Sequence, residues 1–132
     1  MKIRLPLFRR WLNTERKTSN RGAWAEDLAY RYLHKQGLKL IERNFSCRRG
    51  EIDLIMEDQE VLIFIEVRFR QADDYGHPLD TVDWRKQKKL RITAEYFLSQ
   101  HKRLARRVTR FDVVALQGDQ GSPDISWIKA AF

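Results

Sequence analysis

The sequence contains a single cysteine, Cys47, among its 132 residues. One cysteine cannot form an internal disulfide, and the three histidines, His34, His77 and His101, are not clustered into a tetrahedral zinc site. The sequence therefore excludes disulfide-stabilised scaffolds and zinc fingers. We interpret the chain as a reduced, cytoplasmic protein.

Long hydrophobic runs are also missing. The longest run, Val61–Ile65, has five residues, whereas a helix needs about 20 apolar residues to cross a bilayer. We therefore predict no transmembrane segment. Pro6 and the pair Arg9 and Arg10 interrupt the N-terminal stretch before it reaches the roughly 7 apolar residues of a signal peptide. We expect residues 1–20 to form an unprocessed basic extension, either flexible or an arm.

Positive charge is what the chain has in excess, because 26 Lys and Arg against 18 Asp and Glu give a formal net charge of +8. The excess is uneven: residues 1–21 carry +6 and residues 84–110 carry +9, whereas residues 57–83 carry −6. Two basic blocks around an acidic segment indicate a surface that holds a polyanion around clustered carboxylates. Each block taken alone is equally well explained as a solvated helix face.

Hydrophobic periodicity predicts a single domain over residues 21–132, and 42% hydrophobic residues are enough to build its core. The first element is a helix. The remaining elements are three strands, a helix and two strands, at residues 38–45, 51–56, 61–69, 84–101, 110–116 and 125–128. This order predicts an α/β fold with a mixed sheet.

The first helix is expected to start near Gly22, with Asn20 as its cap, and to end at Gly37. Its apolar residues recur at helical spacing and form one buried stripe. At about 100° per residue, Glu26 lies at the margin of that stripe and Asp27 faces water.

The second and third strands are separated by a short polar connection, so the simplest arrangement is a β-hairpin. A turn centred on residues 58–59 pairs Glu51 with Glu66. It pairs Asp53 with Phe64, and it makes Asp53 and Glu66 diagonal neighbours on one face of the sheet.

Asp53 and Glu66 are informative because acidic side chains on an apolar strand face are costly to bury unless a cation sits between them. Carboxylates from neighbouring strands suit Mg²⁺ or Mn²⁺, which complete their coordination with water and phosphate oxygens. Arg68 shares the face of Glu66 by period two and would place positive charge where a phosphate meets the metal. The pattern indicates phosphodiester hydrolysis. The alternative is an ion-pair network at the sheet edge without a metal.

Residues 70–83 contain Gly76 and Pro78 and have no period, which is typical of a loop that could act as a lid over the carboxylates. His77 within this loop is a candidate contact to substrate. Cys47 has no histidine partner nearby in sequence, so we interpret it as structural.

Four segments, in this order, carry a resemblance to a known family: RGAWAEDLAYRYL, RNFSCRRGEIDLI, FIEVRFR and RFDVVAL. They resemble the YraN-like family of uncharacterised bacterial proteins, which is assigned to the PD-(D/E)XK nuclease superfamily and is similar to archaeal Holliday-junction resolvases. The resemblance covers about residues 20–132. It implies a restriction-endonuclease-like core, in which helices flank a mixed central sheet.

The resemblance also implies a catalytic set of a helix Glu, a hairpin Asp and an E-x-K strand motif, which map onto Glu26, Asp53, Glu66 and Arg68. In this set Asp53 and Glu66 hold Mg²⁺ or Mn²⁺ together with the Val67 carbonyl, and Glu26 holds a metal water or a second ion. The chain departs from the motif at Ile52, where the motif has Pro, and at Arg68, where it has Lys. Because arginine keeps its proton, Arg68 can bind phosphate or orient water but cannot act as the general base.

Two functions stay open. One is a Mg²⁺-dependent nuclease that acts on DNA, with branched or damaged DNA as candidate substrates, and the other is a non-catalytic nucleic-acid-binding or repair-accessory protein that keeps the nuclease fold. In either case basic side chains would contact the DNA backbone: Arg48, Arg49, Lys88, Lys89, Arg91, Arg106 and Arg107. A third hypothesis is a membrane-surface or protein-interaction module that uses the basic arm with Trp11. The oligomeric state stays open, with a homodimer as one arrangement.

Overall fold

Two helices and five strands make up the parts of the chain that the computed structural model describes, which are residues 20–71 and 82–132, with side chains from residue 22 onward. In chain order the elements are α1 (Asn20–Lys35), β1 (Lys39–Cys47), β2 (Gly50–Asp58), β3 (Val61–Arg70), α2 (Trp84–Gln100), β4 (Val108–Gln117) and β5 (Asp124–Ile128). Residues 1–19 of the predicted extension and residues 72–81 of the predicted loop, His77 included, lie outside the described residues. Neither of the described helices is long and apolar enough to cross a membrane.

Helix α1 begins earlier than predicted, because Asn20 is already helical and is not a cap in front of Gly22. The end of the helix agrees with the prediction. Gly37 has a left-handed φ of 102°, its N–H donates to the His34 carbonyl at 3.0 Å, and the Leu38 N–H donates to the Leu33 carbonyl at 3.1 Å. Glycine adopts this conformation without steric cost, which is why the helix stops here.

The strands form one sheet in the order β1-β2-β3-β4-β5. Strands β3 and β4 run parallel, whereas the other neighbouring pairs of described strands are antiparallel. A parallel pair needs a crossover connection, and α2 lies between β3 and β4 in the chain. This confirms the predicted α/β fold with a mixed sheet, and the arrangement is consistent with a restriction-endonuclease-like core.

The sheet separates two apolar cores, one beneath each helix. Alternate residues of β3 serve the two sides: Leu62 and Phe64 pack with α2, whereas Ile63 and Ile65 pack with α1. All four side chains are buried. Strand β3 is therefore covered on both faces, which explains why it reads as a continuous apolar run and not as an alternating one.

The predicted hairpin register is wrong. The turn is at Gln59 and Glu60, and the paired residues are Asp58 with Val61 and Leu54 with Ile65. Gln59 has a left-handed φ of 59°, a conformation that a two-residue hairpin turn requires and that a Gln side chain does not signal in sequence.

The corrected register changes which residues meet across the hairpin. Phe64 pairs with Ile55 and not with Asp53. The ladder between β2 and β3 ends at Leu54 and Ile65, so Glu51 does not face Glu66. Asp53 and Glu66 are the next residue on each strand beyond the last pair, and they lie at the same level of the sheet.

The fully buried carboxylate of Asp112 connects strand β4 to β5 and to the residues that follow β5. Asp112 on β4 accepts hydrogen bonds from the Arg110 guanidinium, from Trp127 Nε1 at 2.9 Å and from the Ala130 N–H at 2.9 Å. The bond pair from Arg110 is bidentate, at 2.9 and 2.8 Å. These partners satisfy the charge, so the cost of burying it is offset.

Replacing Asp112 by Ala should destabilise the protein by about 3 kcal/mol or more, because Arg110 and Trp127 would lose their buried acceptor. Chemical denaturation checks this. The matched control is Asp124→Ala, at an exposed position on β5, where we expect a change below about 0.5 kcal/mol. Equal unfolding free energies for the two variants would contradict the proposed role of Asp112.

Candidate functional site

The pairing between strands β2 and β3 ends at Leu54 and Ile65, and the two strands diverge beyond this point. Past this point β2 stays paired with β1 as far as Gly50, and β3 stays paired with β4 as far as Arg70. The sheet therefore opens into a fork between its second and third strands. Asp53 and Glu66 stand at the mouth of this fork, one on each strand.

The backbone changes face at the fork. Ile52 and Leu54 are two residues apart on β2, yet they pack in the cores on opposite sides of the sheet. Period two would put them on the same side, so the alternation is interrupted at Asp53. The interruption sends the Asp53 side chain towards α1, where Glu26 lies.

Strand β1 shows the matching irregularity. Asn44 has a left-handed φ of 55° and lies opposite Asp53, between the paired residues Arg43 with Leu54 and Phe45 with Ile52. Its side-chain oxygen is buried without a hydrogen-bond partner. Asparagine tolerates this conformation better than most residues, which allows both strands to change face at the same level.

The Asp53 carboxyl group accepts a backbone hydrogen bond and lies next to the like charge of Glu26. Its Oδ2 accepts a hydrogen bond of 2.8 Å from the Val67 backbone N–H. Burial, the negative charge of Glu26 and a hydrogen bond with the Glu26 carboxyl raise the pKa of Asp53 to about 7, while the Val67 bond opposes the rise. Near neutral pH Asp53 is therefore partly protonated.

Glu66 is 4% exposed and lies between an acid and two bases. Its Oε2 accepts a hydrogen bond of 3.0 Å from Arg68 Nη1 and lies 3.4 Å from Lys86 Nζ. Burial and the charge of Asp53 raise the pKa of Glu66 to about 7, although Lys86 and Arg68 act to lower it. The two cations therefore offset only part of the cost of burying this carboxylate.

These side chains line one cavity of about 360 Å³ between α1, β2 and β3. The cavity brings together the four residues predicted as a catalytic set, Glu26, Asp53, Glu66 and Arg68, with Val67 beside them. Glu26 is 6% exposed and Asp27 is exposed, as the helix periodicity predicted. Glu66 and Arg68 share a face of β3, also as predicted.

The predicted DNA-contacting residues fall into two groups. Arg48 and Arg49 are exposed in the turn between β1 and β2, at the fork end of the sheet. A Cβ on Gly50 would lie 2.9 Å from Thr93 Oγ1 and 3.8 Å from the Lys89 carbonyl. The turn therefore packs against α2, where Lys88 and Lys89 are exposed. Arg91 is also exposed, but its guanidinium lies over the rings of Phe111 and Phe132, 5.1 and 5.5 Å from their centroids.

The second group lies at the other end of the sheet. Arg106 and Arg107 precede β4, whose first residue, Val108, pairs with Val61 at the hairpin end of β3. Arg107 forms an ion pair with Glu57. Five residues of β3, or about 16 Å, separate this end from the level of Glu66, so the structure does not bring Arg106 and Arg107 to the cavity.

Lys86 is the site residue that the sequence analysis missed. It lies in the first turn of α2 and reaches Glu66 from a different element. Its sequence signal is its spacing, because Lys86 falls on the helical stripe of the buried residues Leu90, Thr93 and Phe97. The Lys86 side chain is 40% exposed, so the lysine lies at the margin of this stripe and its ammonium reaches Glu66.

The chemistry of the donor set limits which metal could bind. Within the described residues no three His, Cys, Asp or Glu side chains are arranged to hold an ion by themselves. Asp53 and Glu66 offer two hard oxygen donors that repel each other at close range. This set fits a cation such as Mg²⁺, which takes one or two carboxylates and keeps several waters, and does not fit an ion that needs a closed protein cage.

A family profile and the sequences of several bacterial proteins match this chain, and all of them carry the same family description. The profile described as "Uncharacterised protein family UPF0102" matches residues 25–116, which include every residue of the cavity except Gly22. A UPF0102 protein of Stutzerimonas stutzeri is 45% identical over 116 residues, which are 88% of this chain and 97% of the relative. One of Pseudomonas aeruginosa is 43% identical over 122 residues, 90% and 98% of the two chains, and one of Nitrosococcus oceani is 42% identical over 113 residues, 86% and 91%.

Asp53→Asn should stabilise the protein at pH 8. The raised pKa of Asp53 means that the folded state holds a proton that the unfolded state releases from about pH 4 upward, so wild-type stability falls as pH rises towards about 7. Asn removes the charge and keeps an acceptor for Val67. We expect a gain of roughly 1–3 kcal/mol at pH 8 that shrinks as pH falls to 4.

Urea unfolding across this pH range measures the effect. Asp119→Asn, at an exposed position, is the control and should show no such trend. A gain for Asp53→Asn that is independent of pH would rule out repulsion among the carboxylates as its cause.

Proposed function

The chain belongs to the uncharacterised protein family UPF0102, and we propose that it is a divalent-metal-dependent nuclease-like protein that binds DNA and hydrolyses phosphodiester bonds. The observation that carries this proposal is the meeting of Asp53 and Glu66 at the fork, where burial and repulsion raise both pKa values to about 7. Such a pair is costly to keep in a fold without a cation. Buried carboxyl groups with strongly raised pKa values occur mainly at functional sites.

The three acidic residues of the cavity and Val67 each have a role in this proposal. Asp53 and Glu66 would hold Mg²⁺ or Mn²⁺ together with the Val67 carbonyl, and Glu26 would hold a water of the ion. The bound ion would supply Lewis acidity towards the phosphate and lower the pKa of water. The bond from the Val67 N–H keeps Asp53 in place whether or not the ion is bound.

Arg68 and Lys86 supply the positive charge beside the carboxylates. Both contact the same oxygen of Glu66, so both lie where a phosphate would approach an ion held by that residue. Arg68 would bind the phosphate through its planar fork, and Lys86 would add a point charge from α2. Stabilisation of developing negative charge by positioned cations is a large contribution in phosphoryl transfer.

DNA is the substrate class that the surrounding charge favours. Arg48, Arg49 and Lys89 surround the contact between the β1–β2 turn and α2 at the fork end of the sheet. Phosphate contacts of this kind give affinity that falls steeply with salt and is insensitive to sequence. Branched or damaged DNA stays the candidate substrate within this class.

A specific contact favours the second candidate function, a non-catalytic DNA-binding protein. Arg68 is hydrogen-bonded to Glu66 at 3.0 Å, and an arginine at this place cannot serve as a base. In this alternative Arg68 and Lys86 neutralise Glu66 permanently, and the cavity serves only to shape the fork.

Cleavage assays separate the two. We expect wild-type protein with Mg²⁺ or Mn²⁺ to cut supercoiled plasmid, single-stranded DNA or a four-way junction, and Asp53→Ala and Glu66→Ala each to lose about 100-fold or more in rate. EDTA should abolish cutting, and Asp119→Ala should cut as the wild type does. Equal cutting by every variant would indicate a contaminating nuclease and overturn the proposal. Tight, salt-sensitive binding without cutting would favour the second function.

Lys86→Ala should lower the cleavage rate by about 10- to 100-fold, and Lys86→Arg should recover part of it, because the charge is what acts on the phosphate. Manganese binding measured by calorimetry should persist in Lys86→Ala and disappear in Glu66→Ala, which separates a phosphate-binding residue from a metal ligand. The control Lys35→Ala removes an exposed charge at the end of α1 and should keep the wild-type rate. Wild-type turnover by Lys86→Ala would limit Lys86 to a structural ion pair.

A further inference from the structure

Trp84, the first residue of α2, is 65% exposed. The other two described tryptophans have partners within the fold: Trp24 packs edge-on against Phe69 at 5.3 Å, and Trp127 donates to Asp112. The Trp84 ring has the Arg85 guanidinium over one face, 5.2 Å from its centroid, and is otherwise open to solvent. A tryptophan left in water in this way is available to a ligand.

The position of Trp84 relates it to the cavity. Lys86, two residues further along α2, reaches Glu66 inside the cavity. Residues two apart on a helix point in nearly opposite directions, so Trp84 points into solvent on the side of α2 away from Glu66, within the same first turn as Lys86. A strand with a phosphate in the cavity would therefore reach this ring by passing over the first turn of α2.

The surroundings of Trp84 suit a nucleic acid strand. Arg85 and Lys88 are exposed, and Lys88 follows Trp84 by one helical turn on the same side. The acidic neighbour, Asp83, has one oxygen engaged as helix cap by the Lys86 N–H at 3.0 Å. Among the residues that the structure describes, the ring is bordered by the two cations Arg85 and Lys88 and by Asp83, which caps the helix.

We propose that Trp84, with Arg85 and Lys88, forms a stacking platform for an unpaired base of a DNA strand that enters the cavity. This deepens the proposed function, on which it rests, by selecting DNA with single-stranded segments as the preferred substrate. Bases of an intact duplex are already stacked on each other and cannot use the ring, whereas every unpaired base has a face to offer. Arg85 and Lys88 contact the phosphates on either side and add affinity that both forms of DNA share.

Binding in EDTA tests the platform without cleavage. Full-length protein is titrated into a fluorescein-labelled single strand that carries 2-aminopurine, and into the duplex of the same sequence, both followed by anisotropy. We expect Trp84→Ala to weaken single-strand binding by about 5- to 50-fold, as loss of one base–aromatic stack does, and to leave duplex binding unchanged. Trp84→Phe should retain most of the affinity, and 2-aminopurine quenching should be lost only in Trp84→Ala.

Two controls sharpen the result. Tyr96→Ala removes the other exposed aromatic of α2, about 18 Å along the helix, and should bind both DNAs as the wild type does. Lys88→Ala should weaken both DNAs alike and flatten the salt dependence. Equal losses on single strand and duplex in Trp84→Ala, or no loss on either, would overturn the platform. A selective loss in a protein that never cuts DNA would uphold the platform while the nuclease proposal fails.

Discussion

The hydrogen bond from the Val67 N–H to Asp53 joins the fold of this protein to its candidate chemistry. Where two strands diverge, backbone groups lose their partners, and a buried unpaired N–H is expensive. Asp53 supplies the missing acceptor across the fork at 2.8 Å. The same side chain that closes the gap in the ladder therefore has a carboxylate at the mouth of the cavity, where the acids from α1 and β3 converge.

The charges at the cavity favour the proposed divalent cation. Glu26, Asp53 and Glu66 contribute three carboxyl groups, and the cations of Arg68 and Lys86 contact Glu66 from β3 and α2. Protonation of Asp53, whose pKa is raised to about 7, relieves its repulsion with Glu26. A hard divalent cation would replace that proton with a stronger counter-charge, and its binding would become tighter as pH rises through about 7.

The sequence predicted the elements well because each is specified locally. The stripe of α1, with Glu26 at its margin and Gly37 at its end, and the apolar run of β3 can be read from spacing alone. The hairpin register could not, since Gln59 and Glu60 carry none of the Gly or Asn signals of a tight turn.

The rest of the site depends on contacts between elements. The change of face at Asn44 and Asp53 breaks the period-two rule at two residues that lie opposite each other on different strands. No property of either residue alone predicts this break. Lys86 meets Glu66 only once α2 is docked on the sheet, so its role follows from the packing of Leu90, Thr93 and Phe97 beneath it. The basic block of residues 84–110 divides for the same reason: its helical half borders the fork, while Arg107 is held at the hairpin end by Glu57. In the proposed function, the cations of α2 and of the β1–β2 turn would guide a DNA strand to the carboxylates from that side of the fork.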